Sequence, residues 1–168
     1  MKIGCTGHRN LDHDQTKIEE VFQWFLNSFK PELVITGMAL GYDQLCAVSC
    51  LEMQVPFEAA VPFAKQQSKW PLVAQETYST IISGASKITV VSTGEYAAWK
   101  MHARNAYIVN NSHVIVGYLN PKKHSGGTFQ TMQMASLQKK PTYNIYEILE
   151  KKIDLNALNE NLKNIRTK

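Results

Sequence analysis

The sequence has few cysteines and no histidine pair at metal-ligand spacing, and both absences limit what the protein can be. Its three cysteines, Cys5, Cys46 and Cys50, form no CxxC pair, and an odd number cannot all pair within one chain. This favours a reducing compartment over a disulfide scaffold. The five histidines show no HxxxH or HExxH spacing, and none lies near Cys46 and Cys50. We therefore expect no metal site and no cofactor.

Long apolar runs and a strong charge imbalance are also missing. No run approaches the roughly 20 apolar residues that cross a bilayer, and the start MKIGCTGHR lacks the apolar core of a signal peptide. We expect a cytoplasmic protein without a membrane partner. The net charge of +4 is spread over the 168 residues and forms no basic arm. Nucleic acid is thus permitted as a partner but not favoured, and a small anionic ligand suits the composition.

Strand-like runs and helical spacing alternate along most of the chain. Strands are predicted at 2–6, 33–36, 57–61, 87–91, 113–119 and 141–145, and helices at about 14–29, 42–53, 72–83, 97–110 and 127–138. Asp12 and Gln15 stand where a capping pair for the first helix would lie. The alternation predicts right-handed crossovers and an α/β fold, a doubly wound, mostly parallel sheet in one domain with helices on both faces.

The end of the chain differs from the rest in its charge and spacing. From Glu147 onward charged residues are more frequent, and the apolar residues recur at the steps of one helix face: Leu155, Leu158, Leu162 and Ile165. We divide the chain into a domain at 1–146 and an amphipathic helix at 147–168. That helix docks on the sheet or forms an oligomer contact. Docking is favoured because a doubly wound sheet needs outer helices.

Glycines, hydroxyl groups and charged residues follow the predicted strands. Ligands of open parallel sheets bind outside the carboxyl ends of the strands, so these residues form a candidate ligand site. The set comprises Gly7, His8, Arg9, Thr36, Gly37, Gly41, Asp43, Ser125, Gly126, Gly127 and Thr128. The third strand is followed by Phe63 and Trp70.

Each of these residues also has an ordinary structural explanation. Gly37 and Gly41 would supply positive φ in tight turns, and Asp43 would stabilise a helix start. Together, however, glycine turns at one edge predict backbone N–H groups that are open to an anion. Asp43 would then accept hydrogen bonds from a ribose hydroxyl. Phe63 and Trp70 fit an apolar cover of the third crossover better than a stack on a base.

The segment Met101-His102-Ala103-Arg104-Asn105 places a polar side chain on the apolar face of a predicted helix. A buried asparagine needs a hydrogen-bond partner. In one interpretation, Arg104 is a surface arginine beside an asparagine that tethers a loop. In the other, Arg104 reaches an anionic ligand while Asn105 fixes a neighbouring turn.

Five motifs follow one another along nearly the whole chain: TGHR at 6–9, TGMALGYDQLCA at 36–47, VPF…Q…WP at 61–71, MHARNAYIV at 101–109 and SGGT at 125–128. With them the sequence resembles the SLOG superfamily, especially its stand-alone branch with the TGHR motif. The resemblance implies a Rossmann-like domain that binds nucleotides or nucleotide-derived molecules, and a homo-oligomer, in the first instance a dimer. Some relatives are phosphoribohydrolases, some load recombinase onto single-stranded DNA, and some sense NAD-derived signals.

The phosphoribohydrolases in this superfamily carry MHxRK followed by PGGxGTxxE, which supplies a catalytic arginine and a catalytic glutamate. Met101, His102 and Arg104 match the first motif, and Asn105 replaces its lysine. The glutamate has no counterpart, since no acid occurs from 128 to 140. Cleavage of an N-glycosidic bond needs a carboxylate, so no catalytic residue is assigned.

The leading hypothesis is therefore a non-catalytic sensor or sequestering sink for an ADP-ribose-like or cyclic nucleotide signal, in antiviral signalling or its evasion. The first alternative is a nucleoside 5′-monophosphate phosphoribohydrolase in which Glu95 or Asp43 serves as the acid. The second is single-stranded DNA binding in recombination, which would show affinity for long polymers and a steep salt dependence.

Overall fold

Six parallel strands form the central sheet of the molecule. The computed structural model describes residues 1–158. Its strands are β1 (Lys2–Gly7), β2 (Leu33–Thr36), β3 (Phe57–Val61), β4 (Lys87–Val90), β5 (Val114–Tyr118) and β6 (Thr142–Asn144). They pair in the order β4-β3-β2-β1-β5-β6, and every pairing is parallel. The predicted α/β fold is confirmed, and the sheet is entirely parallel over these residues.

Helices alternate with the strands along the chain. They are α1 (Gln15–Phe29), α2 (Tyr42–Glu52), α3 (Leu72–Ser83), α4 (Ala98–Asn111), α5 (Gly127–Leu137) and α6 (Ile145–Glu150). Helix α1 packs against α2 and α6, and α2 packs against α3, whereas α4 and α5 pack against each other. This grouping is the one that right-handed crossovers produce when the chain first builds β1 to β4 in one direction and then returns to β5.

Neighbouring residues of a strand belong to different apolar cores, as expected for a sheet covered on both faces. Val34 lies in the larger core, which also contains the buried face of α1. Its neighbour Ile35 lies in the smaller core with Ile108 and Val109 of α4. The period of two along each strand therefore separates the two helical layers.

The N-cap of helix α1 lies two residues after the predicted cap, Asp12. The Asp14 side chain accepts a hydrogen bond from the Lys17 backbone N–H at 3.3 Å and caps the helix. Asp12 instead accepts from the Asn120 side chain at 3.1 Å. The predicted capping pair is therefore wrong, because Asp12 is engaged with the loop that follows β5 while Asp14 has the right separation from the free N–H groups.

The strand order reverses between β1 and β5, and this reversal fixes where a crevice forms. The connections that leave β1 and β5 run to α1 and α5, which lie on opposite faces of the sheet. In doubly wound folds ligands bind at this switch point.

The last described residues lie against the larger core. Leu155 and Leu158, the first two residues of the predicted apolar stripe, pack on it beside α6. The docking of the predicted helix at 147–168 as a whole stays a prediction. The boundary predicted between 146 and 147 falls inside α6, and Leu162 and Ile165 lie outside the described residues.

Candidate functional site

A cleft of about 270 Å³ opens at the carboxyl ends of β1 and β5. It brings together many of the residues predicted from the strand ends and from the MHARN segment: Gly7, His8, Arg9, Asp43, Arg104, Asn105, Gly127 and Thr128. The other predicted residues do not line it: Thr36, Gly37, Gly41, Ser125 and Gly126. Those residues shape the turns behind the cleft wall or lie on the exposed side of the SGGT turn.

Arg104 is buried in the cleft wall, so the interpretation of a surface arginine is wrong. Its Nη1 donates to the Gly37 carbonyl at 2.6 Å, and its Nε donates to the Asn105 side-chain oxygen at 2.8 Å. Nη1 also lies 3.8 Å from the Asp43 carboxylate. The arginine is therefore held by three groups of the protein itself, and Asn105 orients the arginine through its side-chain oxygen.

Gly37 and Gly41 serve different purposes in the turn between β2 and α2. A Cβ on Gly37 would lie 1.8 Å from Arg104 Nη1, so glycine is needed there for close approach of the guanidinium. Gly41 has φ +82°, and it precedes the first turn of α2 as the N-cap. The expectation of positive φ is thus confirmed at Gly41, whereas Gly37 provides space for Arg104.

Asp43 is a buried carboxylate in the first turn of α2 that also lines the cleft. It accepts a hydrogen bond from the Ala39 backbone N–H at 3.3 Å. Burial raises the pKa of Asp43 to about 6, although the charge of Arg104 and the Ala39 N–H act in the opposite direction. Its carboxyl group is therefore charged at neutral pH and becomes protonated under mildly acidic conditions.

His8 connects the loops that follow β1 and β5. Its Nε2 accepts a hydrogen bond from the Asn120 backbone N–H at 2.9 Å. Burial and the nearby Lys123 lower the pKa of His8, with Asp12 opposing them. The ring is therefore neutral at pH 7, and because Nε2 is an acceptor the proton lies on Nδ1. His8 thus lines the cleft as a neutral ring.

In the SGGT turn, Gly126 and Gly127 have different structural roles. Gly126 is the N-cap of α5 and has φ +93°, which side chains rarely adopt. Gly127 opens the helix and lines the cleft, and a Cβ there would come within 3.4 Å of Asn105 Nδ2. The first N–H groups of a helix have no partner within that helix. Gly126 thus supplies the backbone conformation, and Gly127 leaves room beside the N–H groups of Gly127 and Thr128.

The cleft also contains residues that sequence reasoning did not select. Cys5 and Thr6 precede Gly7 on β1, and Met101 and Ile108 lie on the same face of α4 as Arg104. Met101, Arg104 and Ile108 are three and four positions apart in the sequence, which is the spacing of one helix face, and this could have identified Met101 and Ile108 as cleft residues. On the sequence alone, that apolar face is instead assigned to the core. Within residues 1–158, no group of three or more His, Cys, Asp and Glu is placed to hold a metal ion.

A second pocket of about 400 Å³ adjoins this cleft. It shares Arg9 and Met101 with the cleft, and Phe63 and Trp70 lie in its walls. The VPF…Q…WP motif, at the end of β3 and in the loop after it, supplies most of the residues that line this pocket.

No helix in the described part of the chain is long and apolar enough to cross a membrane.

Comparison with known proteins agrees with this architecture. The profile of the YspA SLOG family matches residues 8–153. A UPF0398 protein of Brevibacillus brevis is 24% identical over 149 residues, which cover 85% of this chain and 73% of that protein.

Among solved structures, DNA processing protein A from Helicobacter pylori, described for its single-stranded DNA binding mode, superimposes with a TM-score of 0.69 at 15% identity. The match covers 98% of this chain and 80% of the other. DNA processing protein A from Streptococcus pneumoniae gives a TM-score of 0.64 at 17% identity over 84% of this chain, which spans 48% of that protein. At these identities the likeness concerns the fold.

Proposed function

Because the chain belongs to the YspA SLOG family, we propose that it binds a nucleotide-derived small molecule in the cleft between β1 and β5. The observation that carries this proposal is the convergence, at the switch point of the sheet, of a glycine-opened helix start with charged and neutral N–H donors. The ligand is an ADP-ribose-like or cyclic nucleotide signal, and the protein acts as its sensor or its sink.

The phosphate of this ligand lies against the first turn of α5. The N–H groups of Gly127 and Thr128 are free of helix partners there and carry the partial positive charge of the helix dipole. Arg9 is exposed at the cleft edge and forms no ion pair among the described residues, so its charge is available to an anion. The Nδ1–H of His8 adds a neutral donor. These groups differ from Arg104, whose guanidinium is engaged by the protein.

Asp43 is the acidic residue among those lining the cleft. Its carboxylate accepts from Ala39 and lies beside Arg104, which holds it in the wall. A carboxylate in this position fits a hydrogen bond with a ribose hydroxyl. The helix that opens with Gly127 contains no acid, and this favours binding over N-glycoside cleavage.

The test is calorimetry of the purified protein with ADP-ribose and with 3′,5′-cyclic AMP, paired with chromatography of these samples, and of a parallel sample with AMP, after prolonged incubation. We expect saturable binding of at least one compound and its recovery unchanged. Release of free base from AMP would instead establish the phosphoribohydrolase alternative. Binding of a long single-stranded oligonucleotide with steep salt dependence, and of neither small molecule, would contradict the proposal.

A further inference from the structure

Of the groups proposed above to bind the phosphate, the second pocket beside the cleft contains Arg9 alone. We call it the aromatic pocket and define it by Phe63, Gln66, Trp70 and Tyr96, together with the shared residues Arg9 and Met101. Ser68 and Lys69 complete its rim. Its volume, about 400 Å³, exceeds the 270 Å³ of the cleft. A pocket lined by three aromatic rings and edged by cations is suited to a flat, electron-rich ring.

The rings of this pocket are held in place by the surrounding structure. Trp70 packs perpendicular to Tyr78 with ring centroids 5.5 Å apart, and its carbonyl accepts from the Gln75 side chain at 2.8 Å. Phe63 is buried and packs perpendicular to Tyr96 at 5.9 Å. These contacts position the rings before any ligand arrives, which lowers the entropy cost of binding.

Tyr96 lies on a loop that a buried lysine fastens. The Lys100 ammonium group, at the start of α4, donates to the carbonyls of Thr93 and Glu95. This fixes the segment immediately before Tyr96, whose side chain is nevertheless 62% exposed. An exposed aromatic ring on a fastened loop, beside a pocket, is available to a ligand at little ordering cost.

A single carbonyl joins the walls of the two cavities. The Gly37 carbonyl accepts from Arg104 Nη1, in the cleft, at 2.6 Å. It also accepts from the Gln66 side chain, in the aromatic pocket, at 3.1 Å. Because both donors are buried, the relative position of the two walls is fixed by this shared acceptor. Together with the shared Arg9 and Met101, this makes the two cavities one bipartite site.

We propose that the aromatic pocket receives the base of the ligand, stacked on Trp70 and Tyr96, while the phosphate lies at the start of α5. The inference rests on the proposed function and narrows it to ligands in which a phosphoribosyl group carries an aromatic base. The phosphate of such a molecule matches the cleft, which is lined by N–H donors, and its base matches the aromatic pocket, which is lined by rings. The pocket thus does more than cover the third crossover.

The experiment compares AMP with ribose 5-phosphate by calorimetry, since the two share the phosphoribosyl group and only AMP carries a base. Stacking on an aromatic side chain contributes enough to strengthen binding by roughly 5- to 150-fold. We expect wild type to prefer AMP by a factor in this range. Trp70→Leu should remove most of the preference by weakening AMP alone. Trp99→Leu is the matched control, because Trp99 is 60% exposed and lines neither cavity.

Tyr96→Ser provides a second variant that does not disturb the core, since Tyr96 is largely exposed. It should weaken AMP and leave ribose 5-phosphate unchanged, even if Trp70→Leu fails to fold. Equal affinity of the wild type for the two compounds, or a preference that survives both substitutions, would overturn the aromatic subsite while the phosphate site stands. If the wild type binds neither compound but binds ADP-ribose or cyclic AMP, the aromatic subsite is overturned and the proposed function stands. If it binds none of the four compounds, the proposed function fails and this inference with it.

Discussion

At the scale of single residues, the cleft depends on a buried ion pair whose members the sequence presents more than sixty positions apart. Arg104 on α4 and Asp43 on α2 meet in the wall of the cleft, and Gly37 makes their approach possible by lacking a side chain. A pair of this kind contributes little net stability, but removing one member leaves an uncompensated buried charge. We therefore infer that the Arg104–Asp43 pair holds the cleft wall in one arrangement.

Arg104→Ala should therefore destabilise the fold by about 3 kcal/mol, measured as the free energy of unfolding in urea. The double variant Arg104→Ala/Asp43→Asn should regain part of this loss, because the orphaned carboxylate is then neutral. Arg9→Ala is the matched control. Arg9 is exposed and unpaired in the described structure, so its removal should change stability by less than about 0.5 kcal/mol. A single variant as stable as wild type would contradict the role of Arg104 in the wall.

The same pair predicts a particular dependence of stability on pH. The folded-state pKa of Asp43, about 6, lies above its ordinary value of 3.8, so the folded protein binds this proton more tightly than the unfolded chain does. Raising the pH from 3.8 to above 6 therefore lowers the free energy of unfolding, and lowering the pH again restores it. Asp43→Asn cannot titrate, and relative to wild type it should gain up to about 3 kcal/mol between pH 4 and pH 7. Urea unfolding at several pH values measures this difference, and parallel profiles for the two proteins would contradict it.

At the scale of elements, the two adjacent glycines at the start of α5 have different roles, which the sequence alone does not distinguish. Gly126 has a backbone conformation that side chains rarely adopt, whereas Gly127 begins the helix and borders the cleft. Substitution at the first should affect folding, and substitution at the second should affect binding.

Gly126→Ala should therefore lower the free energy of unfolding by about 1–3 kcal/mol, because its φ of +93° is strained for alanine. Gly127→Ala should fold normally and bind ribose 5-phosphate at least about 10-fold more weakly, since the new methyl group lies beside the N–H groups. Ser125→Ala, in the exposed part of the turn, is the control for both. If Gly127→Ala binds as wild type does, the SGGT segment is only a turn.

At the scale of the whole molecule, the described surface retains large apolar side chains that no element covers. Leu72 and Val73 at the start of α3 are 76% and 75% exposed, and Leu137 at the end of α5 is 80% exposed. Single exposed apolar side chains are common on soluble proteins, whereas clusters of them mark interaction surfaces. They add to the expectation of a homo-oligomer that came from the resemblance to stand-alone SLOG domains.

We accordingly predict a dimer in solution, with twice the 19.0 kDa mass of one chain. Light scattering coupled to size exclusion measures the mass directly, and a dilution series tests whether the association is reversible. Leu137→Ser should shift the mass toward the monomer if the end of α5 takes part. A single species of one chain's mass at every concentration would rule out the dimer.

The sequence by itself determined the order and type of most elements and the edge at which the site lies. Buried strands such as β5 read as continuous apolar runs, α1 shows the period of a half-buried helix, and both signals are local. The carboxyl ends of parallel strands must share one edge, so residues as distant as His8 and Gly127 could be assigned to one cleft.

Only the tertiary structure decided which polar residues line the cleft and which of them hold its wall in place. From its sequence Arg104 could be a surface residue or a ligand arm. In the structure it is buried in the cleft wall, where Asp43 and the Gly37 carbonyl reach it from another element. Asp12 does not cap α1, because its carboxylate accepts a hydrogen bond from Asn120 in the loop after the neighbouring strand β5. The aromatic pocket likewise exists because Phe63 and Trp70, on the loop after β3, converge with Tyr96 on the loop after β4. Local periodicity specifies elements, but burial and hydrogen bonding between distant segments assign the role of each side chain.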